Sequence, residues 1–242
     1  GIRYFCLSRG SEMCIRDRLF PWPRAKATAW LAIAAPETAL RALIALQDRF
    51  GPALTACELV SGVALGLVRK HIPGPHPTLV DSPWHLLVEL SAGGDEASLR
   101  EELASFLASM IDDRRVADAV LAQSGEQARR LWTLRESIGE AQRIEGPSIK
   151  HDVSLPISRL PEFIERADRA LVEAFPGIRM VTFGHIGDGN LHYNQSRPTA
   201  GDQTLFLAAQ PQVNRVVHDL VDELGGSISA EHGIGQLKRA EL

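Results

Sequence analysis

The stretch VTFGHIGDGNLHYN, residues 181–194, decides the reading of the chain, because it has the form of two short strands folded back about a Gly-Asp-Gly-Asn turn. It holds His185 and His192, and SAEHGIG at 229–235 adds Glu231 and His232 in a second glycine-flanked setting. If Asp188-Gly189 forms a two-residue hairpin turn, which Asp-Gly favours because both central positions need positive φ, His185 and His192 lie directly opposite each other. Opposed residues have Cβ atoms about 4.5–5.5 Å apart, near enough for two imidazoles to take one ion at roughly 2.0–2.1 Å. Asn194 then points to the same face as His192. Glu231, at the end of the short SISA run, is the candidate third ligand, since the glycines around it let the backbone approach closely. Two histidines and one carboxylate leave a coordination position open, the pattern of a catalytic rather than a structural zinc site, with His232 as candidate base. The plainer reading is a glycine-rich hairpin with incidental surface histidines, since two histidines around a turn are a weak signal alone.

Working outward, the 242 residues are 45% hydrophobic and 23% charged, enough for one sizeable core or two small ones and unlike a disordered chain. A formal charge of −4 and no cluster of Lys and Arg speak against a nucleic-acid partner. The longest apolar run, around 27–35, is half of the roughly 18 residues a membrane span needs, and residues 1–20 have no apolar centre typical of a signal peptide. Cys6, Cys14 and Cys57 show no CxxC spacing and an odd count, so no disulfide framework is implied and a reducing cytoplasm is the expected location. Residues 1–24 hold two of these cysteines, no alanine and no periodicity, and SRGSEMCIRDR at 8–18 resembles translated adaptor sequence. They are expected to be a non-native or disordered leader, with the domain running over 25–242.

From residue 25 the chain alternates β-rich runs with amphipathic helices. TAWLAIA (28–34) reads as a strand and PETALRALIALQDRF (36–50) as a helix whose Pro36 suits a first turn; LTACELV and SGVALGLVRKH repeat the pair. HLLVELSA (85–92) is a third strand, followed by a helix in DEASLREELASFLASMI, while KHIPGPHPTLVDSP between them is a loop. A second series brings strand VADAVLA, one long helix over about 126–144, strand SIKHDVSLP, a helix from Ser158, the two strands of the opening motif and a last helix over 212–224. Two β-α-β-β-α-like sets predict an α+β fold: a largely antiparallel sheet with helices packed on one side, ferredoxin-like and duplicated. There is no GxGxxG after a strand and no GxxxxGK[ST], so these loops do not predict nucleotide binding.

One helix is unusual. With Leu131 at zero and 100° per residue, Leu134 falls at about 300°, Ile138 at about 340° and Arg135 at about 40°, at the edge of the buried stripe. A guanidinium there needs an anion, and a salt bridge or a snorkelled side chain is its ordinary fate.

VTFGHIGDGNLHYN with SAEHGIGQLKR strongly resembles the carboxyl-terminal substrate domain of the flavin-linked dehydrogenases that oxidise D-2-hydroxy acids, and the likeness extends through ACELVSGVALGLVRKH, SPWHLLVELS, LWTLRESI and IKHDVSLP. Within that family it looks most like members acting on D-2-hydroxyglutarate, with those acting on D-lactate and glycolate next. The resemblance implies metal ligands at His185, His192 and Glu231, a proton acceptor at His232, a carboxylate-binding Arg135, a lysine partner at Lys150 and a polar pocket position at Asn194. It also implies FAD as cofactor, held mainly by a flavin-binding domain preceding residue 25, a divalent ion such as Zn2+, a small 2-hydroxy acid as substrate, an electron acceptor it does not identify, and a homodimer as an assembly open to the family. Gly139 departs from the pattern, which carries a threonine one turn after the arginine. The chain stops at LKRAEL, short of the family's usual end, so both ends read as truncated and the piece alone is expected to be inactive. A stand-alone metal-binding or hydrolytic protein and a non-catalytic remnant are the alternatives; the first has no HExxH helix to support it, and against the second stands the full set of site residues.

Overall fold

The computed structural model describes residues 23–74, 77, 78 and 80–230. Strand β1 (Ala25–Ile33) is buried at nearly every position, not at alternate ones, because AKATAWLAI offers apolar side chains to both faces. It lies between β3 (Trp84–Ala92) and β4 (Asp118–Leu121), and β3 continues to β2 (Leu54–Ser61), all antiparallel, giving the order β4-β1-β3-β2. Helices α1 (Pro36–Phe50) and α3 (Glu96–Asp112) complete a β-α-β-β-α-β unit of the ferredoxin-like kind.

The second half joins at β2. Strand β7 (Arg179–His185) pairs with β2, β8 (Asn190–Ser196) pairs with β7, and the short β5 (Ser148–Ile149) and β6 (Asp152–Ser154) both pair with β8. The result is a single eight-stranded sheet with every pairing antiparallel.

The α+β class and the antiparallel sheet agree with the sequence reading, but helices cover both faces of the sheet rather than one. Leu31, Leu59, Leu86 and Val88 face α1, α3, α6 (Leu160–Ala174) and α8 (Gln210–Glu223). Trp30, Val60 and Leu87, the alternate residues of the same strands, face α2 (Gly62–His71), α4 (Gly125–Glu136) and α5 (Ile138–Glu145). Burying one of these larger side chains contributes about 1.5–3 kcal/mol, so the fold rests on two cores rather than one.

Two further differences bear on the site. The single helix expected over about 126–144 is two helices that meet at Ser137, whose backbone closes α4 and opens α5. The hairpin also has a different register. Phe183, not His185, pairs with His192, and the turn is a 3-10 segment, Ile186–Asp188, closed by Gly189 in the left-handed conformation. The Asp-Gly signal misled because tertiary packing decides here: Ile186 is buried, the Leu155 amide donates to the Gly189 carbonyl at 2.8 Å, and a Cβ on Gly189 would meet the Leu155 carbonyl oxygen at 2.1 Å. A short helix, α7 (Gln203–Ala208), lies outside the predicted elements.

Candidate active site

The α2/α4/α5 face of the sheet carries the polar cluster. Cross-strand pairing sets Glu58 of β2 against His185 of β7, and strand alternation keeps Phe183 and its partner His192 on the same face. His185 and His192 are therefore diagonal neighbours rather than an opposed pair, a spacing of roughly 7–8 Å that long side chains still bridge. From the facing layer comes Arg135, in the last turn of α4, a helix started by the Ser124 hydroxyl accepting from the Gln127 amide at 3.2 Å. Its place at the stripe edge is what the helical spacing predicts: the neighbouring Leu134 is buried and Arg135 retains 12% exposure.

Glu58, with 3% of its side chain exposed, joins these groups. The Arg135 Nε–H donates to Oε2 at 2.9 Å and the His185 Nδ1–H to Oε1 at 2.5 Å. The guanidinium also lies over the Phe183 ring, 4.8 Å from its centroid, and Phe183 in turn stacks against His192 with ring centroids 4.8 Å apart. Behind His192, Asp152 Oδ1 stands 3.6 Å from Nδ1. His185 thus gives Nδ1–H to a carboxylate, which places its lone pair on Nε2, the arrangement seen behind histidines that bind metals, whereas His192 faces its carboxylate from beyond hydrogen-bond distance. A cavity of about 330 Å3 opens beside this cluster, with Thr55, Glu58, Trp132, His185 and Asp188 in its wall. Trp132 also borders a larger cavity of about 830 Å3, where its indole N–H donates to Glu89 at 2.9 Å.

Other predicted residues are placed differently. Lys150 is exposed, on the segment between β5 and β6. Asn194 lies on the expected face but is buried, its amide donating to Gln142 at 2.9 Å and accepting from the His151 backbone N–H at 3.2 Å. Its side chain thus holds α5 against the β5–β6 segment. Glu231 and His232 lie outside the described residues. Among the described residues no group of three His, Cys, Asp or Glu side chains is arranged to hold a metal ion.

Sequence reading missed Glu58 and Asp152. The available signal was the single acid inside the apolar run ACELV, since a buried carboxylate in a central strand must be paired. Its neighbour Cys57 is no nucleophile: burial, reinforced by Glu58, pushes its thiol well above the usual range and keeps it protonated. Beneath the site Glu145 ties α2, α5 and β7 together, accepting from Lys70 at 2.7 Å, Arg179 at 2.8 Å and His71. Burial alone would raise that carboxylate, but the three donors hold it at about 2.

The family described as FAD linked oxidases, C-terminal domain, matches residues 22–242, and the chain belongs to it. Among curated relatives, D-2-hydroxyglutarate dehydrogenase of Stutzerimonas stutzeri is 39% identical over 83% of this chain and 42% of its own length. The enzyme of the same name from Xanthomonas citri pv. viticola is 43% identical over 78% of this chain and 39% of its own length. The chain thus spans about two fifths of the relatives it matches. Among solved structures, p-cresol methylhydroxylase superposes with a TM-score of 0.59 over 85% of this chain and 45% of its own, at 12% identity, a likeness of fold. No described helix is long and apolar enough to cross a membrane.

Proposed function

We propose that this chain is the substrate-binding domain of an FAD-dependent dehydrogenase that oxidises a D-2-hydroxy acid to the 2-oxo acid, with D-2-hydroxyglutarate as the favoured substrate. The observation that carries the reading is Arg135, clamped through Nε by a buried glutamate that also accepts from His185, with His192 stacked on the same Phe183 ring that the guanidinium covers. Among the described residues its two terminal amino groups make no hydrogen bond, and a planar pair of N–H donors of this kind matches a carboxylate. The relatives' names supply the substrate class.

In this reading Arg135 binds the substrate carboxylate and Lys150 adds a second positive charge, fixing which face of the reacting carbon is presented. His185 and His192, through Nε2, and Glu231 would hold a divalent ion such as zinc. Such an ion supplies Lewis acidity that lowers the proton affinity of the substrate hydroxyl. His232 takes the hydroxyl proton, and the flavin supplies the two-electron acceptor. Asn194 acts indirectly, by holding the β5–β6 segment that carries Lys150. The cysteine pattern speaks for a reducing cytoplasm as the setting of the reaction.

The test is made on the intact flavin-loaded protein. Arg135→Ala should lower kcat/KM for D-2-hydroxy acids by about 1.5–3 kcal/mol, the scale of a lost charged hydrogen bond, with metal content unchanged. His192→Ala should lower metal content and activity together. Loss of metal from the arginine variant, or full metal and activity in the histidine variant, refutes this division of roles.

A further inference from the structure

We infer that Glu58 is a positioning residue that sets the substrate-binding fork and a metal-binding imidazole with one carboxylate; this rests on the function proposed above. A carboxylate this deeply buried must be paired to persist as a charge, and its two oxygens are divided, Oε2 to Arg135 and Oε1 to His185. The division has two consequences. By taking Nε and leaving the terminal amino groups, Glu58 fixes the guanidinium in the orientation that presents its outer edge, while Phe183 packs against its face. By accepting from Nδ1–H, Glu58 also selects the His185 tautomer with its lone pair on Nε2. The cross-strand pairing of Glu58 with His185 makes the second contact a consequence of sheet register.

Glutamine keeps the shape and cannot serve both donors. Its amide has one accepting oxygen, so its NH2 must face either Arg135 Nε–H or His185 Nδ1–H. On the histidine side the imidazole escapes by moving its proton to Nε2, which removes the lone pair from the ion; on the arginine side the guanidinium loses its anchor. Glu58→Gln in the intact flavin-loaded protein should therefore disturb one of the two contacts, whereas Glu58→Ala, which serves neither donor, should disturb both: Glu58→Ala should weaken zinc binding, titrated into the metal-free enzyme, by about 10- to 100-fold. At saturating zinc it should raise KM for D-2-hydroxyglutarate by about tenfold, since it loosens the group that meets the carboxylate. Zinc affinity and KM both within twofold of wild type in Glu58→Ala overturn the inference, and so does a change in only one of them in that variant, because the coupling is the claim. A second measurement needs no variant: 15N spectra of the metal-free wild-type protein should show His185 protonated at Nδ1, and protonation at Nε2 refutes the assignment. If Arg135→Ala and His192→Ala behave as described while Glu58→Ala is silent, the proposed function stands and this inference falls; if wild type binds no zinc, the function itself fails.

Discussion

On the face of the sheet opposite the site, the Tyr193 hydroxyl donates to Asp168 of α6 at 2.5 Å, with Phe163 edge-on to the tyrosine ring. Burial pushes the Asp168 carboxyl up to about 6 from its ordinary 3.8, against the opposing pull of that hydrogen bond. A carboxyl whose folded value is raised holds its proton more tightly in the native state. Its favourable contribution is therefore complete below about pH 3.8 and is lost as pH rises through about 6. A rise from 3.8 to about 6, at 1.36 kcal/mol per pH unit, is about 3 kcal/mol, which the fold forgoes at neutral pH by carrying the ionised form. An asparagine in place of Asp168 would mimic the protonated carboxyl, since its oxygen can still accept from Tyr193. Equilibrium urea unfolding of wild type and Asp168→Asn between pH 4 and 7.5 should show a difference near zero at pH 4 that grows to about 1–3 kcal/mol in favour of the variant by pH 7.5. A difference that is flat with pH, or that favours wild type at neutral pH, refutes the claim that this charge is held at a cost.

Two other substitutions probe the site's frame. Gly184 has a φ of +155°, and a Cβ there would lie 2.4 Å from the Asn190 carbonyl oxygen, so Gly184→Ala should lower unfolding stability by about 2–4 kcal/mol; a loss under about 0.5 kcal/mol in urea titration refutes the close-approach argument. A Cβ on Gly139 meets nothing within 4 Å, so Gly139→Thr should fold normally and raise the kcat/KM ratio for D-2-hydroxyglutarate over D-lactate. An unchanged ratio shows that position 139 does not select substrate.

Strong helical periodicity made parts of this fold legible in sequence. The helix written from PETALRALIALQDRF coincides with α1, and the Val213, Val217 and Val221 stripe is the buried face of α8. The double-sided sheet was harder to see, although the clue lay in β1: an apolar strand without alternation has both faces covered. The break at Ser137 had only a weak signal, the nearby Gly139, and it puts that glycine in the first turn of α5 rather than on the helix that carries Arg135. Local turn preference pointed to the wrong histidine register, since it knows nothing of the Leu155 contact beneath Gly189. Arg135 was found because its angle on a helix is a local property. Glu58 was not, because its partners lie 77 and 127 residues away.

The pairing of β2 with β7 has a consequence of its own. Three residue pairs, Glu58 with His185, Leu59 with Gly184 and Val60 with Phe183, form the register that joins the two halves of the sheet. One of these pairs is also the heart of the polar cluster, so the site is divided between the halves: Glu58 comes from the first and His185 from the second, while Arg135 comes from a helix on the connection between them. Neither half holds the polar cluster alone. A ligand that engages Arg135 and His185 together binds only the joined form and so fastens the joint, in proportion to its affinity and concentration. Occupancy of the proposed site is then a clasp on the architecture, and the two halves of the sheet are most firmly one body with a ligand in place.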